Sequence, residues 1–120
     1  MNVHTVSVTV SGTRASASVE VRAGGELSIG VAEGVCAGDS IDRLVAEATV
    51  RAIAGVDPTA ERVAVDTVSV APAGVRTVAT VLLAHGDEPR VGVAVVGAGG
   101  PSDAVARAVV DAFARRSASS

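Results

Sequence analysis

The chain has 120 residues, a net charge of −3, one cysteine and one aromatic residue, Phe113. That length makes one domain. The mildly acidic balance and the lack of aromatic stacking platforms argue against a nucleic-acid binder, and a single Cys36 excludes an internal disulfide or a CxxC site. Apolar residues make up 48%, mostly Val and Ala. Each buried Val contributes only about 1.5–3 kcal/mol, so stability needs many of them or a partner chain. The start, Met1-Asn2-Val3-His4, lacks the basic and apolar pattern of a signal peptide, and no apolar stretch approaches a membrane span. A cytoplasmic protein that binds neither membrane nor nucleic acid is expected.

Residues 3–10 alternate, with Val6, Val8 and Val10 on one side and Thr5, Ser7 and Thr9 on the other, which predicts a half-buried strand. Ser11-Gly12-Thr13 turns the chain. Residues 14–22 alternate again, Ala17, Val19 and Val21 inward, Ser16, Ser18, Glu20 and Arg22 outward. After Gly24-Gly25, Leu27, Ile29 and Val31 mark a third strand, completing an antiparallel meander. A loop over 33–38 leads to Asp39 as a helix N-cap, with Asp42 at the capping-box position. Ile41, Leu44, Val45, Ala48 and Ala52 share one face of that helix. Glu47 stands at spacing four from both Arg43 and Arg51, giving weak pairs on the polar face. Gly55 ends the helix and residues 56–60 form a linker.

The same order then returns. Strands are predicted over 62–71, 75–84 and 89–96, with turns at Pro72-Ala73-Gly74 and His85-Gly86-Asp87. The loop Gly97-Ala98-Gly99-Gly100 opens a second helix with Pro101 in its first turn. Val105, Ala108, Val109, Ala112 and Phe113 face inward, Arg115 and Arg116 suit the negative end of the helix dipole, and 117–120 form a frayed tail. The return is literal: Thr5-Val6-Ser7-Val8 recurs as Thr67-Val68-Ser69-Val70, and Gly30-Val31-Ala32 as Gly92-Val93-Ala94. The chain is therefore read as one α+β domain of two βββα repeats, about 3–55 and 61–116, packed around a pseudo-two-fold axis.

The copies differ on the outward face of the middle strand. Ser16, Glu20 and Arg22 in the first become Val78, Leu82 and Ala84 in the second, and Ala94 and Val96 are placed on the same face of the last strand. A contiguous apolar face on an antiparallel sheet marks an interface, which predicts a homodimer joined through the second sheet. The competing reading covers that face with the protein's own helices.

No catalytic constellation stands out. His4 and His85 are read as solvated surface residues, Cys36 as a small buried thiol, and Asp39, Asp42 and Asp103 as helix caps. Nothing has the spacing of a metal site or cofactor motif. The Gly97–Asp103 loop offers backbone N–H groups to a carboxylate or phosphate, although a plain tight connection is the favoured account of it.

The duplicated βββα order, with a Gly-x-Gly-Gly-Pro-Ser-Asp-Ala run opening a helix, resembles the C-terminal regulatory domain of 2-isopropylmalate synthase and citramalate synthase. The resemblance covers most of the chain and rests on Gly97, Gly99, Gly100, Pro101, Asp103 and Ala104. In that family the loop motif, Gly-x-Gly-Asn-Gly-Pro-x-Asp-Ala, belongs to the first unit; here the better match is in the second. The catalytic barrel of the family has no counterpart in these residues. The resemblance implies a free-standing, non-enzymatic dimeric module that regulates or assembles and takes a small amino-acid-like effector at those loop residues. The alternative is a ligand-free structural or scaffold protein that binds another protein.

Overall fold

The computed structural model describes residues 1–37 and 40–119, with side chains through Ala114. Gly38, Asp39 and the side chains of Arg115 and Arg116, which the sequence assigned to the loop, the N-cap and the helix dipole, lie outside the described residues, as does Ser120. The order is β1 (Asn2–Ser11), β2 (Arg14–Ala23), β3 (Glu26–Val35), α1 (Ser40–Ala54), β4 (Val63–Ala73), β5 (Arg76–His85), β6 (Glu88–Val95) and α2 (Gly100–Ser119). These elements form two βββα units whose strands make two separate antiparallel sheets, β1-β2-β3 and β4-β5-β6. The helix α2 runs past Arg116 to Ser119, further than the sequence suggested.

Each helix packs on the last two strands of its own sheet and reaches the first strand of the other. Thus α1 lies against β2, β3 and β4, while α2 lies against β5, β6 and β1, and the helices touch one another. Exchanging the units maps one set of contacts onto the other, the signature of a pseudo-two-fold axis. Being surrounded on three sides, α1 buries Leu44, Val45, Ala46, Ala48, Thr49, Val50, Ala52 and Ile53. That is far more than a one-sided amphipathic stripe, and only Arg43, Glu47 and Arg51 form an open line along it. Thr49 is tolerated in this dry setting because its hydroxyl donates to the Val45 carbonyl oxygen at 2.7 Å.

The inner faces of the sheets are Ala15, Ala17, Val19 and Val21 on β2, and Ala79, Val81 and Leu83 on β5. Both first strands carry a bulge at the same place in the repeat, between Val3 and Thr5 and between Val65 and Thr67. In both last strands a glycine meets a helix. At Gly30 a side chain would run into the backbone of Ala48 and Ala52, and at Gly92 into that of Ala108 and Ala112. The repeat offset of 62 in the strands (Gly30, Gly92) therefore becomes 60 in the helices (Ala48, Ala108), because β6 ends two residues earlier in the repeat than β3 does.

Register corrects the placement of Ala94 and Val96. Ala94 pairs with Ala79, whose side chain is fully buried. The Val96 N–H donates to the Thr77 carbonyl oxygen. Both residues are packed half-buried against the core, on the helix side of the sheet rather than its outer face. In an antiparallel pair, residues opposite each other share a face, so the outer positions of β6 are Val91, Val93 and Val95, opposite Leu82, Thr80 and Val78. Likewise Leu27, Ile29 and Val31 do mark β3 but stand outside, opposite Arg22, Glu20 and Ser18. The linker is also more ordered than a plain connection: Pro58–Arg62 form a 3-10 turn capped by Asp57, whose carboxylate accepts from the Thr59 N–H at 3.1 Å.

Candidate functional site

Strand pairing brings Val78, Leu82 and Ala84 together with Val91, Val93 and Val95 on one surface. The β4 positions opposite Val78, Thr80, Leu82 and Ala84 are Ala71, Ser69, Thr67 and Ala64. None of these positions is charged, and Arg76, opposite Ala73 at the hairpin end, is the charge that β5 places on this face. Val91, Val93 and Val95 remain 46%, 38% and 45% exposed. The corresponding face of the first sheet also exposes Leu27, Ile29, Val31 and Val35, but these stand opposite Arg22, Glu20, Ser18 and Arg14.

Helix side chains occupy part of the open edge of each last strand. The Arg51 guanidinium donates to the Val31 carbonyl oxygen at 2.6 Å. In the second unit the Asp111 carboxylate accepts from the Val93 N–H at 2.9 Å, and Arg107 donates to the Val95 carbonyl oxygen at 3.0 Å. An edge whose hydrogen-bonding groups are occupied is a poor template for another strand. These contacts disfavour strand addition at the β3 and β6 edges.

The helix start in the glycine-rich loop carries a charge of its own. Gly97, Gly99, Gly100, Pro101 and Asp103 are adjacent, and the Gly100 N–H turns back to the Gly97 carbonyl oxygen at 3.1 Å. The Asp103 carboxylate, however, lies over Gly99, where even a methyl group would come within 2.8 Å of it. It also accepts from Arg107 at 2.8 Å. The negative charge already at this helix start disfavours an anion there. Ala104 is fully buried.

A cavity of about 400 Å³ lies elsewhere, between α1 and the linker with β4. Val50, Ala54, Ala60, Val63 and Val65 line it, with Arg43, Glu47, Arg51 and Glu61 among its polar residues. The spacing-four pairs expected around Glu47 do not form. Arg43 instead donates to the Val65 and Asp66 carbonyl oxygens at the β4 bulge, at 2.7 and 3.1 Å, and Arg51 reaches the other way to β3. In sequence these residues read only as a solvated helix face. The signal that could have singled them out was the linker running back beside them, which periodicity does not show.

His85 is not simply a solvated turn residue. It is half-buried, and its Nδ1 accepts from Arg90 at 3.0 Å. Since a guanidinium can only donate, the proton of the neutral ring sits on Nε2. Arg90 is 8% exposed, and its Nε and Nη1 have no hydrogen-bond partner. Cys36 is half-buried, with its N–H on the Thr13 carbonyl oxygen at 2.7 Å. Among the described residues no three His, Cys, Asp or Glu side chains converge as a metal site, and no helix is long and apolar enough to cross a membrane.

No family model, curated protein or solved structure matches the chain.

Proposed function

We propose that this protein is a non-enzymatic assembly module that pairs with a second copy through the outer face of β4, β5 and β6. The observation that carries this reading is the uncharged, valine-rich surface formed by Val78, Leu82, Val91, Val93 and Val95. Two such faces stacked about a two-fold axis bring apolar side chains together, with Arg76 at the hairpin end of each, and make a sandwich core at the usual spacing of about 10 Å. Strands of 11, 10 and 8 residues in a three-stranded sheet present about 14 by 32 Å, roughly 450 Å² before side-chain relief is counted, against about 800 Å² per partner in a standard interface. The partly occupied edges of β6 and β3 disfavour strand addition there. The resemblance to the 2-isopropylmalate synthase regulatory domain points to a dimer as well. A non-enzymatic role agrees with the structural employment of Asp103, Asp111 and His85, each held by a hydrogen bond within the fold.

The test is the light-scattering mass of the purified chain, compared with Leu82→Glu, Val93→Glu and the first-sheet control Ser18→Glu. A dimer for the parent and the control, with folded monomers for the two second-sheet variants, is expected. A monomeric parent, or a Leu82→Glu variant that still dimerises, overturns the reading. A monomeric parent would favour the scaffold alternative, in which this face takes a different protein.

A further inference from the structure

The two helices carry corresponding polar lines with their charges exchanged. At the offset of 60, Arg43, Glu47, Val50, Arg51 and Ala54 of α1 answer to Asp103, Arg107, Val110, Asp111 and Ala114 of α2. On α2 the line is absorbed by the fold: Asp103 pairs with Arg107, and Arg107 and Asp111 hold the β6 edge. On α1 the outcome differs. The guanidinium groups of Arg43 and Arg51 turn away from Glu47 in opposite directions, one to β4 and one to β3. Glu47 is left without a hydrogen bond or ion pair among the described residues, as is Glu61 across the cavity. The guanidinium groups in the wall thus direct donors to backbone oxygens rather than to the carboxylates, and Glu47 and Glu61 stand without a partner beside an apolar lining of Val50, Ala54, Val63 and Val65.

We infer that this cavity between α1 and β4 binds a small organic cation, an amine or guanidine on a short apolar body. Glu47 and Glu61 hold the cationic head through charge-assisted hydrogen bonds, and the body lies on the valines. The volume of about 400 Å³ is at the lower end for small-molecule sites, which run from about 300 to 1,000 Å³. The lining combines apolar walls with a few placed polar groups, as such sites do. The inference is independent of the dimer, since the cavity and the outer face of the second sheet share no residue other than Ala64.

The experiment is an NMR titration of the full chain with n-pentylamine and agmatine, with pentanoate as the anionic counterpart of the same length. Saturable shifts confined to 43–54 and 60–65 are expected for the amines, with a Kd of about 1 mM or tighter for ligands this small. Glu47→Gln should weaken binding about tenfold, the loss of one charge-assisted contact, and Glu61→Gln should act in the same direction. Ala54→Leu, which fills the cavity and leaves both carboxylates in place, should abolish binding. Thermal melts of each variant establish that the fold is kept. Pentanoate binding as tightly as the amine, no saturation by either amine, or unchanged binding in folded Glu47→Gln and Ala54→Leu overturns the inference. Light scattering of the same samples keeps a failure of the dimer separate from a failure of this site.

Discussion

The substitution that probes the packing most directly is Gly92→Ala. The added Cβ would stand 2.6 Å from the Ala112 nitrogen and 2.9 Å from the Ala108 carbonyl carbon, with the Ala108 carbonyl oxygen closer still. Ordinary contacts between such atoms are about 3.5–4.0 Å, so helix and strand must separate by roughly 1.5 Å to clear the carbonyl oxygen. The obstacle is helix backbone, which no rotamer change can move aside. An overpacking cost at the upper end of about 1–3 kcal/mol follows. Against it stands a gain of about 0.4–1 kcal/mol from the smaller entropy of an unfolded chain with Ala in place of Gly. The net loss is about 2 kcal/mol. With an unfolding entropy of roughly 2.1 cal/mol/K per residue over 120 residues, that lowers Tm by about 8 °C. Circular-dichroism melts and urea titrations measure it. Gly97→Ala is the control, because nothing lies within 4 Å of its added Cβ and its φ is not positive; it should match or slightly exceed the parent. Gly30→Ala, against Ala48 and Ala52 in the first unit, should behave like Gly92→Ala. Should Gly92→Ala melt within about 2 °C of Gly97→Ala, the glycine contact does not set the helix–sheet distance and the reasoning fails.

Two further substitutions test the polar framework. Arg90→Met replaces a guanidinium that is 8% exposed and has two unpaired nitrogens by an apolar chain of similar length. The expected result is an unchanged Tm or a rise of about 4 °C, corresponding to about 1 kcal/mol, and a large fall in the same melt would reveal an anionic partner for Arg90. Arg43→Ala removes both donors from the Val65 and Asp66 carbonyl oxygens. It should cost about 1–2 kcal/mol and accelerate hydrogen exchange around the β4 bulge; unchanged exchange there would mean that Arg43 does not tie α1 to the second sheet.

The element order was legible because two signals agreed. Period-2 alternation located the strands, and the literal return of Thr-Val-Ser-Val and Gly-Val-Ala showed that one plan is used twice. The failure on β6 has a physical cause. Val91, Val93 and Val95 alternate with Gly92, Ala94 and Val96, so both sides of the strand are apolar and alternation cannot say which is inside. Gly92 held the missing information. A glycine inside a strand often marks a close backbone approach, and its recurrence at Gly30 placed that approach on the same parity in both copies. Following it would have put Ala94 and Val96 inside and the valines outside. The cavity was not legible in this way. Its walls come from α1 and from the segment after the linker, and no local pattern records that Arg43 and Arg51 turn to backbone oxygens rather than to Glu47.

The exchanged charges on the two helices show which property the fold requires. A strand edge offers carbonyl oxygens and N–H groups side by side, so either a guanidinium or a carboxylate can close it. Arg51 does so through the Val31 oxygen, and Asp111 through the N–H of the corresponding Val93. The position is constrained to carry a charge that reaches the edge, while its sign is free to change between copies. Once the signs differ, the middle position of the line diverges too. Arg107 finds Asp103 one turn before it and the β6 edge beside it, and becomes part of the edge closure. Glu47 has a guanidinium on either side in sequence, yet both are committed to backbone oxygens. Its carboxylate is left without a partner among the described residues, and it stands at a cavity bounded by the segment that joins the units.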